Sequence, residues 1–283
     1  MHTPHVFGEH EHLFGIHCRS SKGDVQRGDN ELPKVAVLML TAGMLTSVGP
    51  SRLHVNMADA LSSKGIPSFR FDLSGIGESM AVGSQGSSLK RATHEVQQAM
   101  AMLESEYNYT HFMLFGLCSG ADDAIACACD DKRIIAASLM DACGYRTPGH
   151  FLPYIRHKYL PKVLSAAKWC ESIRQRFQPD RQTASTMPQG FDIREFPNRE
   201  QSEREITGLV DRGVRLQFIY TSGVINYYSY ANQFFDMFPS LRNRTEIAVV
   251  HQPRWDHVAM LQEDRTELLH TLVPWFESIA LAV

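Results

Sequence analysis

Six short apolar runs punctuate the chain: Lys34–Leu40, Ile66–Phe71, His111–Phe115, Ile134–Met140, Val214–Tyr220 and Glu246–Val250. Each is too short for a helix and lacks regular polar alternation, the pattern of a strand covered on both faces. Stretches of helical spacing separate them, from Pro50 to about Lys64, Leu89 to Tyr107, Ala121 to Cys129, up to about Gly213, Tyr227 to Phe238, and Val258 to Ala280. Pro50 suits a helix start because its missing N–H is a donor that would go unpaired there anyway. Strands alternating with helices predict an α/β protein with a mostly parallel sheet and right-handed crossovers. Ahead of them, Val6-Phe7-Gly8 and Leu13–Ile16 flank the polar Glu9–His12 and predict a strand pair, which brings the sheet to eight strands.

Two segments break the rhythm. Asp72-Leu73-Ser74-Gly75-Ile76-Gly77-Glu78-Ser79 has a phosphate-loop look, but it lacks the Lys-Ser/Thr of such a loop and the glycine spacing of a dinucleotide site. It predicts a structural turn after a strand. From Tyr145 to about Arg204, aromatic, proline and basic residues mix without a strand period. This predicts a core of 1–144 and 205–283 interrupted by a helical cap insertion at 145–204.

The candidate chemistry centres on Phe115-Gly116-Leu117-Cys118-Ser119-Gly120-Ala121, where a buried strand turns straight into a helix. Such a turn needs small residues two before and two after its apex, since a Cβ there would strike neighbouring backbone. Gly116 and Gly120 meet that need and leave Cys118 at the apex. At the helix N-terminus, backbone N–H groups and the helix dipole favour a thiolate, so Cys118 is a candidate nucleophile. The competing reading of any such cysteine is a small buried hydrophobe. Ser119 is one residue past the apex, and its backbone N–H suits an oxyanion donor.

The elbow, the segment Arg70 to Gly77 (Arg-Phe-Asp-Leu-Ser-Gly-Ile-Gly) and the late Asp256-His257 together resemble the α/β-hydrolase superfamily. The nearest resemblance is to serine-aminopeptidase-like hydrolases, including those associated with exosortase systems. It covers nearly the whole chain apart from 145–204, and it implies an eight-stranded sheet with helices on both faces. It also implies His257 as general base, with His251 the positional rival, and Met44 as the second oxyanion N–H by matching Ala42-Gly43 to the family's His-Gly. The chain departs from the family in two ways. Cysteine replaces the usual serine, and Thr221–Tyr230, where the acid usually lies, contains no Asp or Glu. Asp141, closing the strand after the elbow helix, is the preferred third member. Asn226 is the alternative and would give a Cys-His-Asn set.

Composition bounds the rest. With 28 Lys/Arg against 31 Asp/Glu the net charge is −3, which gives no bias toward nucleic acid. No apolar run reaches membrane-spanning length and the N-terminus lacks a signal pattern, so a cytoplasmic protein is expected. The six cysteines show no disulfide framework. His10, His12 and His17 are read as a solvated hairpin tip in preference to a metal site. Between Tyr145 and Arg181, eight Lys/Arg outweigh two acids. That surplus either attracts an anionic acyl donor, such as a pantetheine-linked or carrier-protein-linked thioester, or is a solvated helix face. The aromatic stretch Tyr227–Phe235 either lines an acyl pocket or packs on the sheet. The expectation is therefore an ester or thioester hydrolase acting through acyl-Cys118 on a small-molecule acyl substrate, without cofactor or metal. An acyltransferase passing the group to an amine or alcohol, and an inactive binding protein on the same fold, are the alternatives.

Overall fold

The computed structural model describes residues 2–21, 35–82, 87–151, 153 and 197–282. Most of the predicted insertion, with its basic surplus, lies outside these residues. The strands are β1 (His2–Phe7), β2 (Leu13–Cys18), β3 (Val35–Leu40), β4 (Ser68–Phe71), β5 (His111–Leu117), β6 (Ile134–Met140), β7 (Arg215–Thr221) and β8 (Ile247–Gln252). They form one eight-stranded sheet in the order β1-β2-β4-β3-β5-β6-β7-β8. The sheet is mixed. β2 runs antiparallel to both β1 and β4, whereas β4, β3, β5, β6, β7 and β8 run parallel to one another.

The helices are α1 (Leu53–Ser63), α2 (Ser88–Tyr107), α3 (Ser119–Asp130), α4 (Arg199–Asp211), α5 (Gln233–Met237) and α6 (Gln262–Ala280). Every position of β3 is buried, which is why its sequence is apolar throughout. Ala36, Leu38 and Leu40 face a core shared with Val96 and Met100 of α2, Ala124 of α3 and Leu209 of α4. Val35, Val37 and Met39 face the other, built from Leu53 and Met57 of α1 and Leu268, Leu272 and Phe276 of α6. Helices therefore cover both faces of the sheet.

The turn at Asp72 is structural, as its composition predicts. Buried Asp72 accepts the Ser47 N–H at 2.5 Å on Oδ1 and the Glu78 N–H at 3.2 Å on Oδ2. Gly77 has φ 53°, and a Cβ there would strike the Asp72 carboxylate. The loops after β3 and β4 are thus tied to one side chain.

Three expectations need correction. His12 and His17 are buried and do not belong to a solvated tip, because the hairpin packs against α2: His17 Nε2 lies 3.1 Å from the Tyr109 hydroxyl, and its ring centroid is 4.0 Å from that of Tyr107. The helix expected over Tyr227–Phe238 shrinks to Gln233–Met237, because the buried Gln233 amide donates to the Tyr145 and Tyr227 carbonyls and holds the preceding residues in turns. The last helix starts at Gln262, because Asp256 folds the residues after it into a turn of their own. The aromatic stretch packs on the sheet. Tyr228 stacks on Tyr220 with centroids 3.7 Å apart, and Phe234 lies 4.5 Å from Phe218.

Candidate active site

Cys118 stands between the last residue of β5 and the first of α3 with φ 56° and ψ −118°. A side chain at positive φ costs about 1–3 kcal/mol, so the surroundings must hold it. They do: the Cys118 N–H donates to the Met140 carbonyl at 2.9 Å, and its own carbonyl accepts from Ala121 N–H at 3.0 Å. A Cβ on Gly116 would run into the Gly120 carbonyl, and one on Gly120 would lie 2.6 Å from the Thr41 carbonyl oxygen. The two glycines are therefore steric requirements of this turn. Half-buried Cys118 faces a cleft of about 350 Å³ lined by Ala42, Gly43, Leu45, Cys118, Ser119, His257 and Val258.

His257 is placed by the turn after β8. The Asp256 carboxylate accepts the N–H groups of Val258 and Met260, both at 2.8 Å. Ser222 donates its N–H and hydroxyl to the Trp255 carbonyl at 3.0 and 2.7 Å, joining this turn to the loop after β7. Gly223 permits the approach, since a Cβ there would strike that of His257. Asp256 thus shapes the backbone that presents the imidazole.

His257 Nδ1 lies 2.7 Å from Asp141 Oδ2. Asp141 is fully buried at the end of β6, again at positive φ (53°). Its carboxylate also accepts the Thr221 N–H at 2.7 Å and the Thr221 hydroxyl at 2.6 Å. Three donors thus converge on this buried carboxylate, which compensates for its lost hydration. The Asp141 hydrogen bond, then one to Cys118, raises the His257 pKa to about 10 against the opposing pull of burial. At neutral pH the ring is an imidazolium held between carboxylate and sulfur.

Of the residues singled out in the sequence, Cys118, Ser119, His257 and Asp141 come together. Asn226 does not join them: it is exposed, its carbonyl accepting from Arg146 Nε at 2.8 Å, and Asp141 fills the place beside the imidazole. His251 packs half-buried against Tyr228, and burial lowers its pKa. Met44 is 69% exposed at the mouth-side loop, and it is its neighbours Ala42, Gly43 and Leu45 that line the cleft. Two contacts escaped sequence reasoning. Thr221 braces Asp141, and the Gly43 N–H donates to Ser119 Oγ at 2.8 Å. Thr221 could have been found only as a polar residue closing an apolar strand. The Gly43 bond has no local signal, since its partners are 76 residues apart.

No protein-family model matches the chain, and no curated protein matches it by sequence. Solved structures do match over nearly the full length. An esterase from Pyrococcus furiosus is 14% identical with a TM-score of 0.57, over 98% of this chain and 91% of that one. A proline iminopeptidase from Mycobacterium smegmatis is 10% identical with a TM-score of 0.55, over 100% and 99%. Mouse alpha/beta hydrolase domain-containing protein 10 is 13% identical with a TM-score of 0.53, over 99% of each chain. At such identities a likeness carries architecture alone, and architecture does not fix function. Together with the strand order and the strand–turn–helix at Cys118, it shows that the chain has the α/β-hydrolase fold.

Proposed function

We propose that the chain is an acyl-transfer enzyme, an ester or thioester hydrolase working through a covalent acyl-Cys118 intermediate. The observation that carries this reading is the Cys118–His257–Asp141 set, with an imidazolium beside the sulfur and a buried carboxylate behind it. An imidazolium neighbour favours the thiolate, the form that attacks. The thiolate sulfur bonds to the acyl carbonyl carbon, and the carbonyl electron pair moves onto oxygen. The backbone N–H groups of Ser119 and Met44 are the donors assigned to that oxyanion. As the carbonyl re-forms, the bond to the leaving group breaks, and His257 Nε2 gives it the proton. Water then attacks the thioester, its proton passes to His257, and the thiolate departs.

The cleft wall of Ala42, Leu45 and Val258 suits an apolar acyl group. The surplus of eight Lys/Arg over two acids between 145 and 181, within the proposed cap at 145–204, favours an anionic donor such as a pantetheine-linked thioester.

Intact-mass analysis tests the reading. Wild-type protein mixed with p-nitrophenyl esters or acyl thioesters is expected to gain the acyl mass, and Cys118→Ala to gain none. An adduct that clears in water identifies a hydrolase, whereas one that persists until an amine is added identifies an acyltransferase. Acylation of Cys118→Ala overturns the assignment of the nucleophile, and the absence of any adduct on the wild type overturns the enzyme.

A further inference from the structure

Away from the cleft, the open end of the N-terminal hairpin gathers three metal-ligating side chains from three elements. His2 of β1 and Cys18 of β2 are register partners in the antiparallel pair, and Asp59 lies on α1. His2 Nε2 lies 2.8 Å from Asp59 Oδ1 and 3.6 Å from Cys18 Sγ, and all three ligand atoms fall within 4.8 Å of one another. A tetrahedral zinc ion with bonds of about 2.0–2.3 Å holds its ligand atoms about 3.5 Å apart. The His–Cys spacing already fits, and the His–Asp contact needs to open by about 0.7 Å.

From these side chains we propose that His2, Cys18 and Asp59 form a binding site for a divalent ion of the zinc class. One imidazole, one thiolate and one carboxylate match the borderline softness of such an ion, while magnesium or calcium would call for oxygen ligands throughout. The frame is set beforehand. Just past Cys18, the Arg19 carbonyl accepts the Ser62 hydroxyl of α1 at 2.7 Å, and the Ser21 N–H and hydroxyl donate to the Ser62 carbonyl at 3.1 and 2.9 Å. The end of β2 is thus pinned to α1 one turn beyond Asp59.

A second observation points to the thiolate that an ion would hold. Arg70 is 6% exposed, and its Nε and Nη1 have no hydrogen-bond partner among the described residues. Cys18, Asp72 and Asp59 are the neighbouring groups whose charge favours this buried cation. Ion binding releases one proton from Cys18 and places an anionic sulfur beside the guanidinium. Thiolate and carboxylate together balance the charge of the ion. With three protein ligands and two of them exposed, the fourth position opens to water. The ion would clip the hairpin, at the edge of the sheet, onto α1.

Cobalt(II) titration of the chelator-treated full chain tests this, using the thiolate-to-cobalt charge-transfer band. One equivalent is expected to bind in the wild type and equally in Cys118→Ala, which removes the other thiol beside a histidine. Cys18→Ser is expected to lose the band. His2→Gln and Asp59→Asn, both surface changes that leave the core intact, are expected to weaken affinity by at least about tenfold. Zinc is expected to raise the Tm of the wild type and not that of His2→Gln. Absence of the band in the wild type, its survival in Cys18→Ser, or its loss in Cys118→Ala would overturn the proposal.

Discussion

His257 Nδ1 and Asp141 Oδ2 meet at 2.7 Å although 116 residues separate them in the chain. The bond joins the turn after β8 to the end of β6, across the end of β7, and Thr221 of β7 supplies the other two donors to the same carboxylate. Three adjacent parallel strands therefore contribute to one charged contact. Asp141→Asn keeps the shape and removes the charge. It is expected to lower kcat/KM at neutral pH by about 10²-fold. The basic limb of the pH–rate profile should move from near 10 toward the ordinary histidine value of 6.5. An unchanged basic limb would mean that Asp141 does not set the protonation of the ring.

The same bond has a signature in stability. The folded-state pKa of His257 is raised from 6.5 to about 10, so between these values the ring holds a proton that it lacks in the unfolded chain, although in the wild type the proton lost from Cys118 to form the thiolate offsets it. The contribution is complete below pH 6.5 and is lost as the pH rises through about 10. Denaturant midpoints measured across that window should fall with pH in Cys118→Ala, where no thiolate offsets the proton count, and less steeply when Asp141→Asn is added. Parallel slopes for the two proteins would contradict the assignment.

A resting imidazolium suits sulfur and not oxygen. A serine hydroxyl must give its proton to the histidine, and the Asp141 hydrogen bond, the largest cause of the raised ring pKa, stays in the serine variant and favours a ring that already holds one. Cys118→Ser is therefore expected to lose about 10²–10⁴-fold in kcat/KM at neutral pH, even though serine is nearly isosteric. Steady-state rates on one ester substrate from pH 6 to the alkaline limit check this. A serine variant retaining a tenth of the wild-type rate would show that the ion pair is not the working state.

The elbow was legible in the sequence because its demands are local. Gly116 and Gly120 face steric conflicts with backbone only a few residues away or at the neighbouring strand end, and nothing but glycine resolves them. The buried strands were legible for a similar reason: β3 is covered on both faces and so is apolar throughout. The preference for Asp141 agrees with the structure, but the sequence left Asn226 open beside it, since the choice depends on which strand end stands beside the turn after β8. Burial of His17 depends on Tyr107 and Tyr109, about 90 residues away in sequence and brought in by α2. Tyr227–Phe238 has the composition of a helix, but the Gln233 amide bonds and the Tyr220–Tyr228 stack favour turns.

Gly223 separates positioning from folding. A Cβ there would meet the Cβ and Cα of His257, which is half-buried and belongs to neither core. Gly223→Ala should therefore shift the imidazole and cut kcat while lowering stability by no more than about 1–3 kcal/mol. The His257 titration, followed by NMR, should move with it. A variant with wild-type kcat and an unshifted titration would show that the turn can yield without moving the ring.

The bond from the Gly43 N–H to Ser119 Oγ couples the two segments assigned to the oxyanion. Gly43, at φ 53°, turns the loop after β3 just before Met44, and Asp72 holds the same loop further on through the Ser47 N–H. With its far end fixed, the near end depends on Ser119. Ser119→Ala keeps the backbone N–H of the elbow and deletes only the acceptor for Gly43. Losing one hydrogen bond of about 1 kcal/mol should let the Met44 N–H wander from the developing oxyanion. The expected result is a kcat reduced about fivefold with KM nearly unchanged, since the contact is made in the transition state and not in the ground state. Ser119→Thr, which keeps a hydroxyl, should recover most of the rate. A rise in KM alone would instead place Ser119 in the ground-state wall of the cleft.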